Sequence, residues 1–178
     1  MKKGLLLLAV AAFAFTGCDK VANIENFAIS NTFEEKVTLD VTDADPNAFS
    51  KDFTIDAASD SDFKNNLSNI SSYGIKKLTY RVSSFTGDDA TTATGMAQFY
   101  EGNTAIGAPI DMGLISFKAL ANSGNITEIS VSNELKKTIE QKLLDNNSIT
   151  LRVTGVISNK PMKADFVISM EIEALVRV

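Results

Sequence analysis

The chain reads as mainly β, an antiparallel β-sandwich of Ig-like or Greek-key type with two short helices. Three observations predict this. Apolar residues recur at every second position in several stretches, most plainly at Phe166, Ile168, Met170, Ile172, Ala174 and Val176. Turn-forming residues separate those stretches: Asp45-Pro46-Asn47, Gly102-Asn103 and Asn159-Lys160-Pro161. Helical spacing appears only twice and does not alternate with strands, as parallel βαβ units would require.

In chain order, residues 26–30 read as a short edge strand. Residues 35–41 place Val37, Leu39 and Val41 on one face and Lys36, Thr38 and Asp40 on the other. A turn over 42–47 leads to a strand over 49–57, and these two strands are expected to form a hairpin. In residues 59–71, Phe63, Leu67 and Ile70 recur at i, i+4 and i+7, which predicts a short helix ended near Gly74. Leu78, Tyr80 and Val82 mark a strand over 75–85, and residues 86–94 form a polar loop. Gly102-Asn103 joins strands over 95–101 and 104–112 as a second hairpin. Short apolar runs at 114–120 and 125–131 read as strands. Ser132 or Asn133 caps a second helix over 133–146, with Leu135, Ile139 and Leu143 as its apolar stripe. Strands over 149–157 and 164–178 finish the chain. The last is long enough that a bend or bulge is expected in it.

The start of the chain is of another kind. Lys2 and Lys3 precede an apolar run over 4–15, followed by Thr16, Gly17 and the only cysteine, Cys18. Twelve residues of helix span about 18 Å, too short for a bilayer core about 30 Å thick, so the pattern is that of a signal peptide. Phe15-Thr16-Gly17-Cys18 resembles the lipobox of bacterial lipoproteins. The resemblance implies cleavage before Cys18 and lipidation of its thiol, with palmitate-type acyl chains as the membrane anchor. Within the pattern, Phe15 stands where the family usually has Leu. The organisation expected is a signal peptide over 1–17, a lipidated N-terminus and tether over 18–25, and a sandwich domain over 26–178.

Removing 1–17 takes Lys2 and Lys3 away, leaving 15 basic residues against 22 acidic ones, a net charge of −7 in place of −5. That balance argues against nucleic acid, whose binding needs a basic footprint. With no His in the chain, His-based catalytic triads and the usual zinc ligands are missing. No cofactor is expected.

Few constellations suggest chemistry. Asp43, Asp45 and Asn47 match the opening of a calcium loop, but its sixth and twelfth positions are Ala48 and Thr54 where Gly and Glu are needed. Asp56, Asp60 and Asp62 form a second acidic group, better read as caps of turns and helix starts. Glu171 and Glu173 are neighbours on one strand face, as catalytic pairs can be, though a solvated face explains them as well. Asp88 and Asp89 read as a loop tip.

The expectation is therefore a non-catalytic binding or assembly module in the bacterial cell envelope. It is held to a membrane by Cys18, on a periplasmic or surface face, and meets a protein or ligand partner. Two alternatives stand beside it: a lipid carrier with an apolar pocket between the sheets, lined by residues such as Met112 and Phe166, and a carboxylate-dependent hydrolase.

Overall fold

The computed structural model describes residues 26–178. The signal peptide, Cys18 and the tether lie outside the described residues. The elements are β1 (Asn26–Val41), β2 (Ala48–Asp56), α1 (Ser61–Asn66), β3 (Ile70–Gly87), β4 (Thr92–Glu101) and β5 (Thr104–Ser116). They continue as α2 (Phe117–Ser123), β6 (Thr127–Glu128), α3 (Asn133–Asn146), β7 (Ser148–Ile157) and β8 (Met162–Arg177).

The strands form two four-stranded antiparallel sheets, in the orders β1-β8-β3-β6 and β2-β7-β4-β5. The pairing is nested: β1 with β8, β2 with β7, β3 with β6, β4 with β5. The chain is thus one long hairpin, turned at Gly102-Asn103 and rolled up on itself, which is the jelly-roll form of the Greek-key sandwich. Between the sheets lie alternate residues of every long strand, with Phe53, Phe99, Leu39, Ile55, Leu151 and Met170 essentially without exposed surface.

Nesting corrects the first expected hairpin. β1 and β2 follow one another but lie in different sheets, because β8 and β7 offer them longer, better patterned partners. β1 is one 16-residue strand and takes in the separate short strand expected at its start. The bulge expected in the last strand is also misplaced. β8 pairs with β1 over all 16 residues without a slip, and the three register shifts fall on its other neighbour, β3. The extra residues there are Ser71, Lys76 and Ser83. Two of them compensate the ladder locally, Ser71 Oγ donating to the Leu175 carbonyl at 3.1 Å and Ser83 Oγ to the Asp165 carbonyl at 3.3 Å.

The helical regions are mixed. α3 has the expected bounds, with Ser132 Oγ accepting from the Leu135 N–H at 3.2 Å and Ile139 and Leu143 buried. The helix expected over 59–71 is shorter: α1 has six residues, with single 3-10 turns at Ala57–Ser59 and Leu67–Asn69. Ile70, expected at its end, opens β3 instead.

The run at 114–120 is not a strand. It leaves β5 at Ser116 and enters α2, so the described residues hold three short helices rather than two. Phe117 decides this by packing its ring against Phe85 and edge-on to Phe166, both at 5.6 Å between centroids. Of residues 125–131 only Thr127–Glu128 are strand.

Candidate functional site

The outer faces of the two sheets differ, and the difference locates the candidate site. On the first sheet the outer face is a lattice of paired charges. Asp165 accepts from Lys36 Nζ, Thr38 Oγ1 and Ser84 Oγ at 2.7–2.8 Å, and Lys163 Nζ reaches Asp40 at 2.9 Å. The Lys36 ammonium, then the two hydroxyls, hold the Asp165 carboxyl well below the usual carboxylate range.

On the second sheet the register aligns Ala48, Val156, Thr94 and Leu114 in one rung across all four strands. The next rung is Ser50, Thr154, Met96 and Asp111. Leu114 is 68% exposed, Val156 54%, and Met96 is exposed beside them. A groove of about 640 Å³ runs over this end of the sheet, lined by Ala48, Phe49, Met96, Asp111, Thr154 and Val156 among others. Beneath it Phe49 lies across Gly155. A Cβ built on Gly155 would come within 2.5 Å of the Thr94 carbonyl oxygen and 2.6 Å of the Phe49 ring, so only glycine fits. Further along, Arg152 pairs with both oxygens of Asp52 at 2.7 and 2.9 Å and lies over the Tyr100 ring at 4.6 Å. The Arg152 hydrogen bonds keep the Asp52 carboxyl below its usual range. The face therefore grades from apolar at one end to charged and stacked at the other. It offers contact area and hydroxyl groups to a partner.

The apolar end is the end of the sandwich where three connections meet. The Ile157 N–H donates to the Asn47 carbonyl and the Ser158 N–H to the Thr92 carbonyl, both at 2.9 Å, and Lys160 reaches back to the 42–47 turn. Asn26, where the described chain enters, pairs with Arg177 at the opposite end.

The candidates expected from the sequence take other roles. The Asp45 carboxylate accepts from the Thr42 N–H at 2.8 Å and the Thr42 hydroxyl at 2.7 Å, which keeps its pKa below the ordinary value. Lys160 Nζ donates to the main-chain oxygens of Asp43 and Asp45, and Asn47 gives its carbonyl to Ile157. The Asp45 carboxylate is thus engaged by Thr42, and an ammonium group stands at this turn against its main-chain oxygens. Among the described residues no group of three or more acidic, His or Cys side chains is placed to hold a metal.

Asp56 and Asp60 act as caps. Asp60 Oδ1 accepts from the N–H groups of Asp62 and Phe63 at 2.9 and 3.0 Å, and Asp60 Oδ2 accepts from Asn31 Nδ2 at 2.8 Å. Glu173 pairs with Lys76 at 2.7 Å. Asp89 meets Lys118 at 3.1 Å, and Asp88 accepts from the Ala90 N–H.

The pocket a lipid carrier would need is closed. The void between Val37, Leu39, Phe49, Met112, Phe166 and Ile168 measures about 10 Å³, room for about one water molecule and far short of an acyl chain. Phe166 is buried in the core and Met112 packs half-buried against it, both bordering this small void.

Sequence reasoning missed Gln98 and Glu140. β5 bulges at Gly107–Pro109, opposite Gln98, and Gly107 takes φ +66° to make the bulge. Gln98 Nε2 donates to the Ile106 carbonyl at 2.7 Å and more weakly to the Phe99 and Gly107 carbonyls. Glu140 reaches from α3 to accept the Ile75 N–H at 2.8 Å, beside a β3 bulge. Neither role leaves a local sequence signal, since both depend on bulges that only the paired strands define.

No family model matches the chain, and no curated protein matches it. Among solved structures it is similar to Desmodium yellow mottle tymovirus, at 12% identity and a TM-score of 0.41, over 99% of this chain and 96% of that one. Turnip yellow mosaic virus is similar at 11% identity and a TM-score of 0.39, over 85% of this chain and 94% of that one. Tobacco necrosis virus is similar at 10% identity and a TM-score of 0.37, over 86% and 97%.

Proposed function

We propose that this chain is a membrane-tethered lipoprotein of the bacterial cell envelope whose jelly-roll domain is a non-catalytic binding module. The observation that carries the proposal is the succession of two features in the sequence. The lipobox-like Phe15-Thr16-Gly17-Cys18 stands just ahead of Asn26, where the first described strand, β1, begins. Cys18 is the only thiol in the chain. Among the described residues no helix is long and apolar enough to cross a membrane, so on this reading acyl chains on Cys18 supply the attachment. Each buried CH₂ contributes about 0.8 kcal/mol, and two or more acyl chains give stable anchoring.

The module's working surface is the apolar end of the second sheet's outer face, and its partner is a protein. Exposed apolar patches rimmed by polar groups mark protein contact surfaces. Here Leu114, Val156 and Met96 are interspersed with Thr94 and bordered by Thr154 and Asp111. The lipid-carrier alternative loses support from the filled inter-sheet space. Intact-mass measurement of the protein extracted from membranes tests the anchor. The expected species lacks residues 1–17 and carries the added mass of acylated glycerol; a species that keeps residues 1–17 overturns the proposal.

A further inference from the structure

Resting on the anchor at Cys18, we infer that the tip of β1 and β8 is a lipid-contacting surface, against which the domain stands on the bilayer. Three observations lead there. The first is reach: eight residue steps separate Cys18 from Asn26, which span at most about 28 Å when fully extended. The entry point of the domain is therefore confined close to the lipid headgroups, whatever path the intervening residues take.

The second is apolar exposure at that entry point. Phe27 is 40% exposed and pairs with Val176; Leu175 is 41% exposed and pairs with Ala28; Val178 is 87% exposed just beyond β8. Strand alternation puts Phe27 and Leu175 on opposite faces of the sheet, so the tip presents apolar side chains on both sides and at its end. A wedge of this kind suits an interface more than a protein groove, which would cover one face.

The third is charge. The four outermost rungs, residues 26–29 of β1 against 174–177 of β8, contain one charged side chain, Arg177, and the acidic groups begin further in, with Glu173 opposite Ser30 and Asp60 bonded to Asn31. The chain as a whole is 22% charged with an excess of acid. Acidic side chains that anionic headgroups would repel are thus missing from the outermost rungs, and the one charged side chain there is a cation with a long apolar stem. The other strongly apolar surface, around Leu114 and Val156, lies at the far end of strands that run about 50 Å, outside the interface and open to a partner.

The test uses the full lipidated chain in vesicles of phosphatidylethanolamine and phosphatidylglycerol. With Cys18 consumed by lipid, single cysteines at Leu175→Cys and at Ala44→Cys, in the exposed 42–47 turn of the opposite end, can each carry an environment-sensitive fluorophore. The 175 label is expected to shift to the blue, to be quenched by doxyl groups placed shallowly in the lipid, and to be several-fold less accessible to iodide than the 44 label. Adding Phe27→Ser with Val178→Ser is expected to abolish the shift while the protein still floats with the vesicles and melts as a folded domain. If the 175 label on floating protein is as accessible to iodide as the 44 label, the tip does not touch lipid and this inference fails while the anchor stands. If the wild-type chain does not float at all, the anchor itself fails and the inference with it.

Discussion

The two sheets share one core but treat the outside differently. The first sheet surrounds β8 with β1 and β3 and covers its outer face with cross-strand ion pairs and hydroxyl contacts centred on Asp165. The second surrounds β7 with β2 and β4 and leaves one end of its outer face to Leu114, Val156 and Met96. Charges that find partners on their own sheet are satisfied without a second molecule. Apolar side chains on a sheet surface have no such recourse, and only a second surface can remove them from water. The comparison teaches that the first face satisfies its own charges, whereas the second leaves apolar side chains uncovered and is the recognition surface proposed above.

Glycine substitutions give the sharpest contrast between the sheets. Gly155→Ala forces a Cβ against the Thr94 oxygen and the Phe49 ring and is expected to destabilise by about 3 kcal/mol in chemical denaturation. Gly74→Ala, in the first sheet, meets nothing nearer than 3.9 Å and is expected to be neutral or stabilising by up to about 0.5 kcal/mol. Equal losses at the two sites would mean that Phe49 can move aside and that the second sheet is no tighter beneath its groove.

Gln98→Ala removes the amide that serves the bulged β5 carbonyls and should cost about 1–2 kcal/mol, read from the denaturation midpoint. Gln98→Glu keeps the size but offers no donor, so it should not restore stability.

On the first sheet, Asp165→Asn separates charge from shape. Because the folded-state pKa of Asp165 is depressed, its contribution is present above the unfolded value of about 3.9 and is lost as pH falls from there toward the folded value. The variant should therefore be less stable than wild type at pH 7, and the gap should close progressively in melts taken at pH 4, 3 and 2. A gap of constant size would show that the hydrogen-bond geometry, and not ionisation, matters.

Leu114→Ser with Val156→Thr should change stability least, within about 0.5 kcal/mol. The same pair should abolish crosslinking from a photoreactive residue at Met96 to the partner protein in the native envelope, whereas substituting Thr38 on the first face leaves that crosslink unchanged. Persistence of the crosslink in the double variant would remove the second face as the recognition surface.

How much of this was legible in the sequence follows from how local each signal is. Alternation of period two is written residue by residue, so β7, β8 and the hairpin at Gly102-Asn103 could be read directly. α3 was equally readable because its cap, stripe and end lie within one segment. The nested pairing was not, since Val37 and Leu39 look alike whether their neighbour is β2 or β8, and only the whole set of strands decides. α2 was hidden because Leu114, Ile115, Phe117 and Leu120 form a short apolar stretch without a clear period; the change at Phe117 depends on Phe85 and Phe166, far away in sequence. The outer apolar rung was invisible for the same reason. Ala48, Thr94, Leu114 and Val156 become neighbours only through the register of four strands.

Cys18 carries the central claim, and labelling with radioactive or clickable palmitate tests it most directly. Wild-type protein should take up label and sediment with membranes, and Cys18→Ala should take up none and appear in the aqueous fraction. Label retained on Cys18→Ala, or its absence from the wild type, would contradict a membrane-tethered module.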